Sequence, residues 1–139
     1  MRVRRPTYSA AASEHGQTAV EFAMIAPLLI VLILGILQGG IAFNHYLVVT
    51  DAARAGSRQA IVARISKLSI AQIQQAAISA SGDLDQSKVG VTVSDPTDPT
   101  LSTAGSTVTV TVTYPYSINL LGWVVSSGNL TSSMTDRLE

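Results

Sequence analysis

The chain has 139 residues, a formal net charge of zero and no cysteine. That length suits one domain plus an anchor, and the missing thiols exclude disulfides and thiolate metal sites. Charged residues make up 13%, against about 25% in an ordinary soluble domain, and no basic patch points to nucleic acid.

Residues 1–16 read as a polar leader, and Arg2, Arg4 and Arg5 favour a cytoplasmic N-terminus. Arg54, Arg58 and Arg64 on the far side of the apolar run weaken that charge asymmetry. A secretory signal is the competing reading, but the apolar run is too long and no small-x-small cleavage site follows Leu37.

Residues 17–43 read as a transmembrane helix. From Phe22 to Leu37 no side chain is charged or hydrogen-bonding. At about 1.5 Å per residue, residues 22–43 extend roughly 33 Å, enough for a bilayer core of about 30 Å. Glu21 stands at the head of this run, and an ionised carboxylate in hydrocarbon must be shallow, protonated or paired. Pro27 lacks an N–H for the carbonyl of Ala23, so a kink or loosening is expected over residues 23–27. Gly35 and Gly39 share one helix face, as do Ala19 and Ala23. Small residues four apart let a second helix approach closely, although glycine is also common in membrane helices for no such reason.

Residues 44–64 continue the helix as a stem. Asn44, His45 and Tyr46 form a polar and aromatic interface set. Tyr46, Val49, Ala53 and Ala60 make one stripe, while Asp51, Arg54 and Arg58 take the opposite side. A head then occupies residues 65–139. Ser69 and Gln72 have the spacing of a capping box opening a second helix over 70–81, with Ile70, Ile73 and Ala77 inward and Gly82 as its stop. Strands are expected over 88–94 and over 107–114, where valines and threonines alternate until Pro115. A third is expected over 129–138. The connection 118–125 is unusually apolar. Either it folds over the core, or it is an exposed patch for a neighbouring subunit or the membrane surface. The whole reads as an α+β chain: a long membrane and stem helix, a short helix and a small antiparallel sheet of about three strands.

Catalysis finds little support. The two histidines, His15 and His45, flank the apolar run, and neither a phosphate-binding glycine loop nor a nucleophile elbow occurs. Asp83 with Asp85, or Asp95 with Asp98, falls short of the six or so oxygens a calcium site needs. Asn129, Leu130 and Thr131 match a glycosylation sequon, a common accidental match. No catalytic residue, cofactor or metal site is expected.

Gly16, Gln17, Thr18, Ala19, Val20, Glu21 and Phe22 resemble the cleavage and assembly motif of type IV prepilins. Residues 19–29, with Pro27, and residues 50–58, with Ala52, Ala53, Arg54, Gly56 and Arg58, sharpen this: the chain resembles the TadE-like pseudopilins of tight-adherence (Flp pilus) systems over roughly residues 16–60. The resemblance implies cleavage by a prepilin peptidase after Gly16, with Gln17 as the first mature residue and Glu21 as the fifth. Glu21 would then pair with the free amine of Gln17 on its own or a neighbouring subunit, while Phe22, Pro27, Gly35 and Gly39 would serve helix assembly. It also implies other pilin or pseudopilin subunits, an inner-membrane assembly platform and membrane lipid as partners. Removal of residues 1–16 leaves six basic and eight acidic side chains out of nine of each, a formal −2.

The expected role is that of a minor pilin in the bacterial inner membrane, single-pass, with its head outside the cytoplasm and possible entry into the pilus. The alternatives are a major filament subunit, or a permanently anchored extracytoplasmic binding protein for which Gly16 has no importance.

Overall fold

The computed structural model describes residues 11–95, 101 and 103–138, with side chains from residue 16 onward. Arg2, Arg4, Arg5, Pro96, Asp98 and Pro99 lie outside the described residues. The chain forms two compact units, Met1–Leu37 and Gln38–Glu139.

Helix α1 runs Ala11–Ile61 without a break. Six residues of the expected leader are therefore helical, because nothing from Ala11 to Gly16 stops a helix that has begun. The helix also continues through Pro27, so the expected loosening does not interrupt it. Proline is tolerated in membrane helices where local adjustment satisfies the freed carbonyl. Its apolar side chains are open to the surroundings: Phe22 is 66% and Leu28 71% exposed.

The second unit is the head together with the last turns of α1. After α1 comes one short turn of helix, α2 (Ala63–Ser66), closed by Lys67 in a left-handed conformation, φ 52°. Helix α3 (Ile70–Ser79) opens on the capping box that its sequence announces. The Ser69 N–H donates to Gln72 Oε1 at 2.8 Å and the Gln72 N–H to Ser69 Oγ at 3.3 Å. Ile73 and Ala77 are fully buried, and Ile70 is partly so.

A single turn of 3-10 helix, Gln86–Lys88, leads into the sheet. Strands β1 (Gly90–Ser94), β2 (Thr107–Leu120) and β3 (Trp123–Arg137) form one antiparallel sheet in the order β1-β2-β3. Val108, Val110 and Val112 are fully buried on one face. The opposite face is a hydroxyl ladder, with Thr109 to Thr135 and Thr111 to Ser133 both at 2.9 Å.

Three strand boundaries differ from the alternation reading, and the first is small: β1 opens at Gly90 rather than residue 88, because Gln86–Lys88 form the 3-10 turn. β2 does not end at Pro115 but runs on to Leu120, and β3 begins at Trp123 rather than Asn129. The reason lies in the pairing. β1 matches β2 only over residues 109–113, so beyond Thr113 that side of β2 is an open edge. Proline's missing N–H is tolerated on such an edge, and Pro115 keeps its place opposite Asn129. The apolar connection is thus the distal end of a long hairpin. Its turn is Leu121 and Gly122, both with positive φ (52° and 89°), and Val125 is an extra residue where the register shifts at Ile118 and Asn119.

Candidate functional site

The residues singled out for processing and assembly all lie on α1. Gln17 Nε2 donates a hydrogen bond to Glu21 Oε1 at 3.0 Å, one turn on, in an exposed position. This is an i, i+4 amide–carboxylate pair of the kind that lends a helix a few tenths of a kcal/mol. Around Gly16, Gly35, Gly39 and Gly40, a Cβ would meet no atom within 4 Å. The face that carries Gly35 and Gly39 is open, as is Phe22. α1 is long and apolar enough to cross a membrane, and its most apolar 18 residues bury nothing within the chain.

Further along, α1 changes character. Val49, Ala52, Ala53 and Ala60 are fully buried and Ser57 nearly so. These small residues recur three and four apart, so they form one stripe against the sheet and α3. Gly56 is a point of close approach. A Cβ there would stand 2.9 Å from Val110 Cγ1 and 3.1 Å from Ala77 Cβ. Ser57 donates its hydroxyl hydrogen to Asp136 Oδ2, bridging α1 to the end of β3. The exposed side carries Asp51 and Arg54, paired at 3.1 Å, a solvated contact worth about 0.3–0.5 kcal/mol.

The sequence stripe of Tyr46, Val49, Ala53 and Ala60 is therefore right at its last three members, wrong at Tyr46, which is exposed, and too narrow. Ala52, Gly56 and Ser57 belong to the same face, and the signal for them was the recurrence of small residues at 52, 53, 56, 57 and 60. The Ser57–Asp136 contact had no signal, since it joins residues 79 apart.

Between the stem and the arm of the hairpin lies a cavity of about 400 Å³, with Gln38, His45, Lys88, Tyr114, Tyr116 and Ser117 in its walls. His45 meets Tyr114 edge-on, with ring centroids 5.6 Å apart. Lys88 Nζ lies 2.9 Å from Asp85 Oδ2, and the Ser87 hydroxyl donates to Asp85 Oδ1 at 2.6 Å. These contacts hold the Asp85 carboxyl at about 2, from an ordinary 3.8; the Ser87 side chain contributes most, then Lys88. The same carboxylate raises the pKa of Lys88. Asp85 is thus committed to Ser87 and Lys88. Among the described residues, no three His, Asp or Glu side chains gather to hold a metal ion.

The connection 118–125 does not fold over the core. Leu121 is 73%, Trp123 82% and Val125 63% exposed, because the two-residue turn carries them past the last residue that α1 and α3 cover.

A family model described as TadE-like protein matches residues 16–58. Neither a curated protein nor a solved structure matches the chain. The matched segment holds the Gln17–Glu21 pair, the open glycine face and the small-residue stripe through Ser57. Over residues 16–58 the chain is therefore similar to TadE-like proteins.

Proposed function

We propose that the chain is a prepilin-like minor pilin that works by helix packing and head contacts, without chemistry of its own. The observation that carries this reading is Glu21. It is a carboxylate at the threshold of an apolar helix, and within one chain its recorded partner is the neutral amide of Gln17. A neutral amide does not offset the desolvation of an ionised carboxylate in lipid. Cleavage after Gly16 by a prepilin peptidase would free the amine of Gln17 as a cation, and a neighbouring subunit's amine would set the register of stacking.

Under this reading residues 1–16 are a cytoplasmic leader, residues 17–43 span the inner membrane, residues 44–64 form the stem, and residues 65–139 form an extracytoplasmic head. Phe22, Pro27 and the open face at Gly35 and Gly39 pack against other pilin subunits and the assembly platform. The size of the head favours a minor component over a major filament subunit.

Intact mass tests the reading directly, with the protein purified from cells that have or lack a cognate prepilin peptidase. The expected result is loss of residues 1–16 only with the peptidase present, abolished by Gly16→Ala. Full-length protein in both strains would leave a permanently anchored extracytoplasmic binding protein as the working account.

A further inference from the structure

We infer that the outer edge of β3 pairs with β3 of a second copy of this chain, antiparallel about a twofold axis at Thr131, to make one six-stranded sheet. The residues concerned all belong to the unit Gln38–Glu139, so the pairing depends neither on the apolar part of α1 nor on any role in a pilus.

The two edges of the sheet are unlike. β1 is five residues long, and Lys88, Asp95 and Pro96 flank it. A short strand with charges and a proline beside it is a poor template for another chain. β3 is fifteen residues long and forms the other edge, with no strand beyond it among the described residues. From Trp123 to Thr135 it holds no acid, base, histidine or proline, and its pairing with β2 shifts only at Val125. Residues 126–135 are therefore a regular edge without the usual guards.

The backbone groups that a second strand meets follow from the alternation of an antiparallel ladder. Leu138 directs its N–H to the Ser106 carbonyl and its carbonyl to the Gly105 N–H, so the even-numbered residues of β3 back to Ser126 bond toward β2. Ser127, Asn129, Thr131, Ser133 and Thr135 turn their N–H and carbonyl groups outward, and all five are exposed. Their side chains share the hydroxyl face, where Thr135 and Ser133 already bond Thr109 and Thr111 at 2.9 Å.

This row reads nearly the same in both directions, as an isologous contact requires. With Thr131 opposite its own copy, Asn129 meets Ser133 and Ser127 meets Thr135. Each pair joins two hydroxyls or a hydroxyl and an amide, so the ladder continues across the axis, with about ten new backbone hydrogen bonds. Asp136, the first charge on the strand, comes opposite Ser126, and no like charges are set against each other. On the other face Gly128 meets Met134 of the second copy. Gly128 lies under the Tyr116 ring, where a Cβ would stand 3.2 Å from Tyr116 Cε1, and a thioether arriving at that ring edge makes a favourable contact. The pairing closes on itself, so the joined sheet ends on both sides in the guarded β1 and propagates no fibre.

The sequence has no cysteine, so one introduced thiol reports the register. Opposed residues of a hydrogen-bonded antiparallel pair have Cα atoms about 5.5 Å apart, within the span of a disulfide. The full chain carrying Thr131→Cys is oxidised with copper phenanthroline in detergent and in lipid vesicles. The expected result is a disulfide-linked dimer, formed roughly tenfold faster than with Ser133→Cys, whose copies stand about 14 Å apart along the strands, or with Thr92→Cys on β1. Ser133→Pro in the Thr131→Cys background removes one outward N–H and no bond to β2, and should cut the crosslink several-fold with the circular dichroism of the head unchanged. Asn129→Lys with Ser133→Lys, which sets ammonium against ammonium across the axis, should do the same without a proline in the strand. Equal rates at all three thiol positions mean random encounter or association through α1 and overturn the pairing. A crosslink at Ser133→Cys alone overturns the register. A Thr131→Cys chain that stays monomeric overturns the second copy as occupant of the edge.

Discussion

Gly56 is where the stem comes close to both α3 and the sheet, and replacing it by alanine tests that packing. In an open helix the change would stabilise by about 1 kcal/mol, because alanine gives up less backbone entropy. Here the new methyl would sit 2.9 Å from Val110 Cγ1 and 3.1 Å from Ala77 Cβ, whereas carbons settle at about 3.5–4.0 Å. Val110 and Ala77 are both fully buried, one in the central strand and one in a packed helix, so neither has room to retreat. Overpacking of this kind costs about 1–3 kcal/mol, which outweighs the propensity gain and leaves a net loss of about 1 kcal/mol. Val110→Ala removes the nearer clash at a cost of its own of roughly 2 kcal/mol. The double variant should lose less than the sum of the singles, with a coupling of about 1 kcal/mol. Thermal unfolding of the full chain in detergent, followed by circular dichroism, measures all three. Zero coupling, or a Gly56→Ala protein that gains stability, would refute the close approach.

Other consequences are open to simpler measurements. Asp136→Ala strands the buried Ser57 hydroxyl and should destabilise the head by about 1–3 kcal/mol, while Ser57→Ala in the same background should recover part of that loss. Ser69→Ala removes the cap of α3 and should lower stability by about 1 kcal/mol, seen as earlier thermal unfolding. The Asp85 pKa is depressed on folding, so its stabilisation is present above the ordinary value of 3.8 and is lost as pH falls toward about 2; Asp85→Asn should flatten the melting temperature across that window. Gly35→Leu with Gly39→Leu should leave head unfolding unchanged, since no atom lies near either position. In a membrane two-hybrid or crosslinking assay it should weaken helix association, and undiminished association would remove the glycine face from the assembly account.

Local rules were legible in the sequence wherever one segment sufficed to state them. The capping box at Ser69, the alternation of β2 and the apolar length of α1 are each complete within a few turns or residues. Pro115 misled because a proline ends a strand only when its N–H side is paired, and the shortness of β1 is a tertiary fact. The exposed fate of Trp123 was left as one of two alternatives for a similar reason, since burial depends on how far α1 and α3 reach. At the candidate assembly helix, the Gln17–Glu21 contact follows from a spacing of four. Ser57 and Asp136 meet only because the third strand returns to the helix, and no local pattern carries that.

That meeting bears on the order in which the head folds. The core of α1, Gly56 against Val110 and Ser57 against Asp136, is closed by contacts between the earliest and latest parts of the unit. Leu138 adds to it: its side chain is buried, its N–H donates to the Ser106 carbonyl, and its carbonyl accepts from the Gly105 N–H, both at 2.9 Å. Contacts of such sequence separation form late and slowly, because a long loop must close before any of them gains stability. Until residues 136–138 are in place, β2 lacks its full partner and the small-residue stripe of the stem lacks part of its cover. Completion of this head is thus an all-or-none event for its fold. The segment from residue 99 to residue 135 carries no Asp, Glu, Lys, Arg or His, and the native sheet appears only after the last strand is in place.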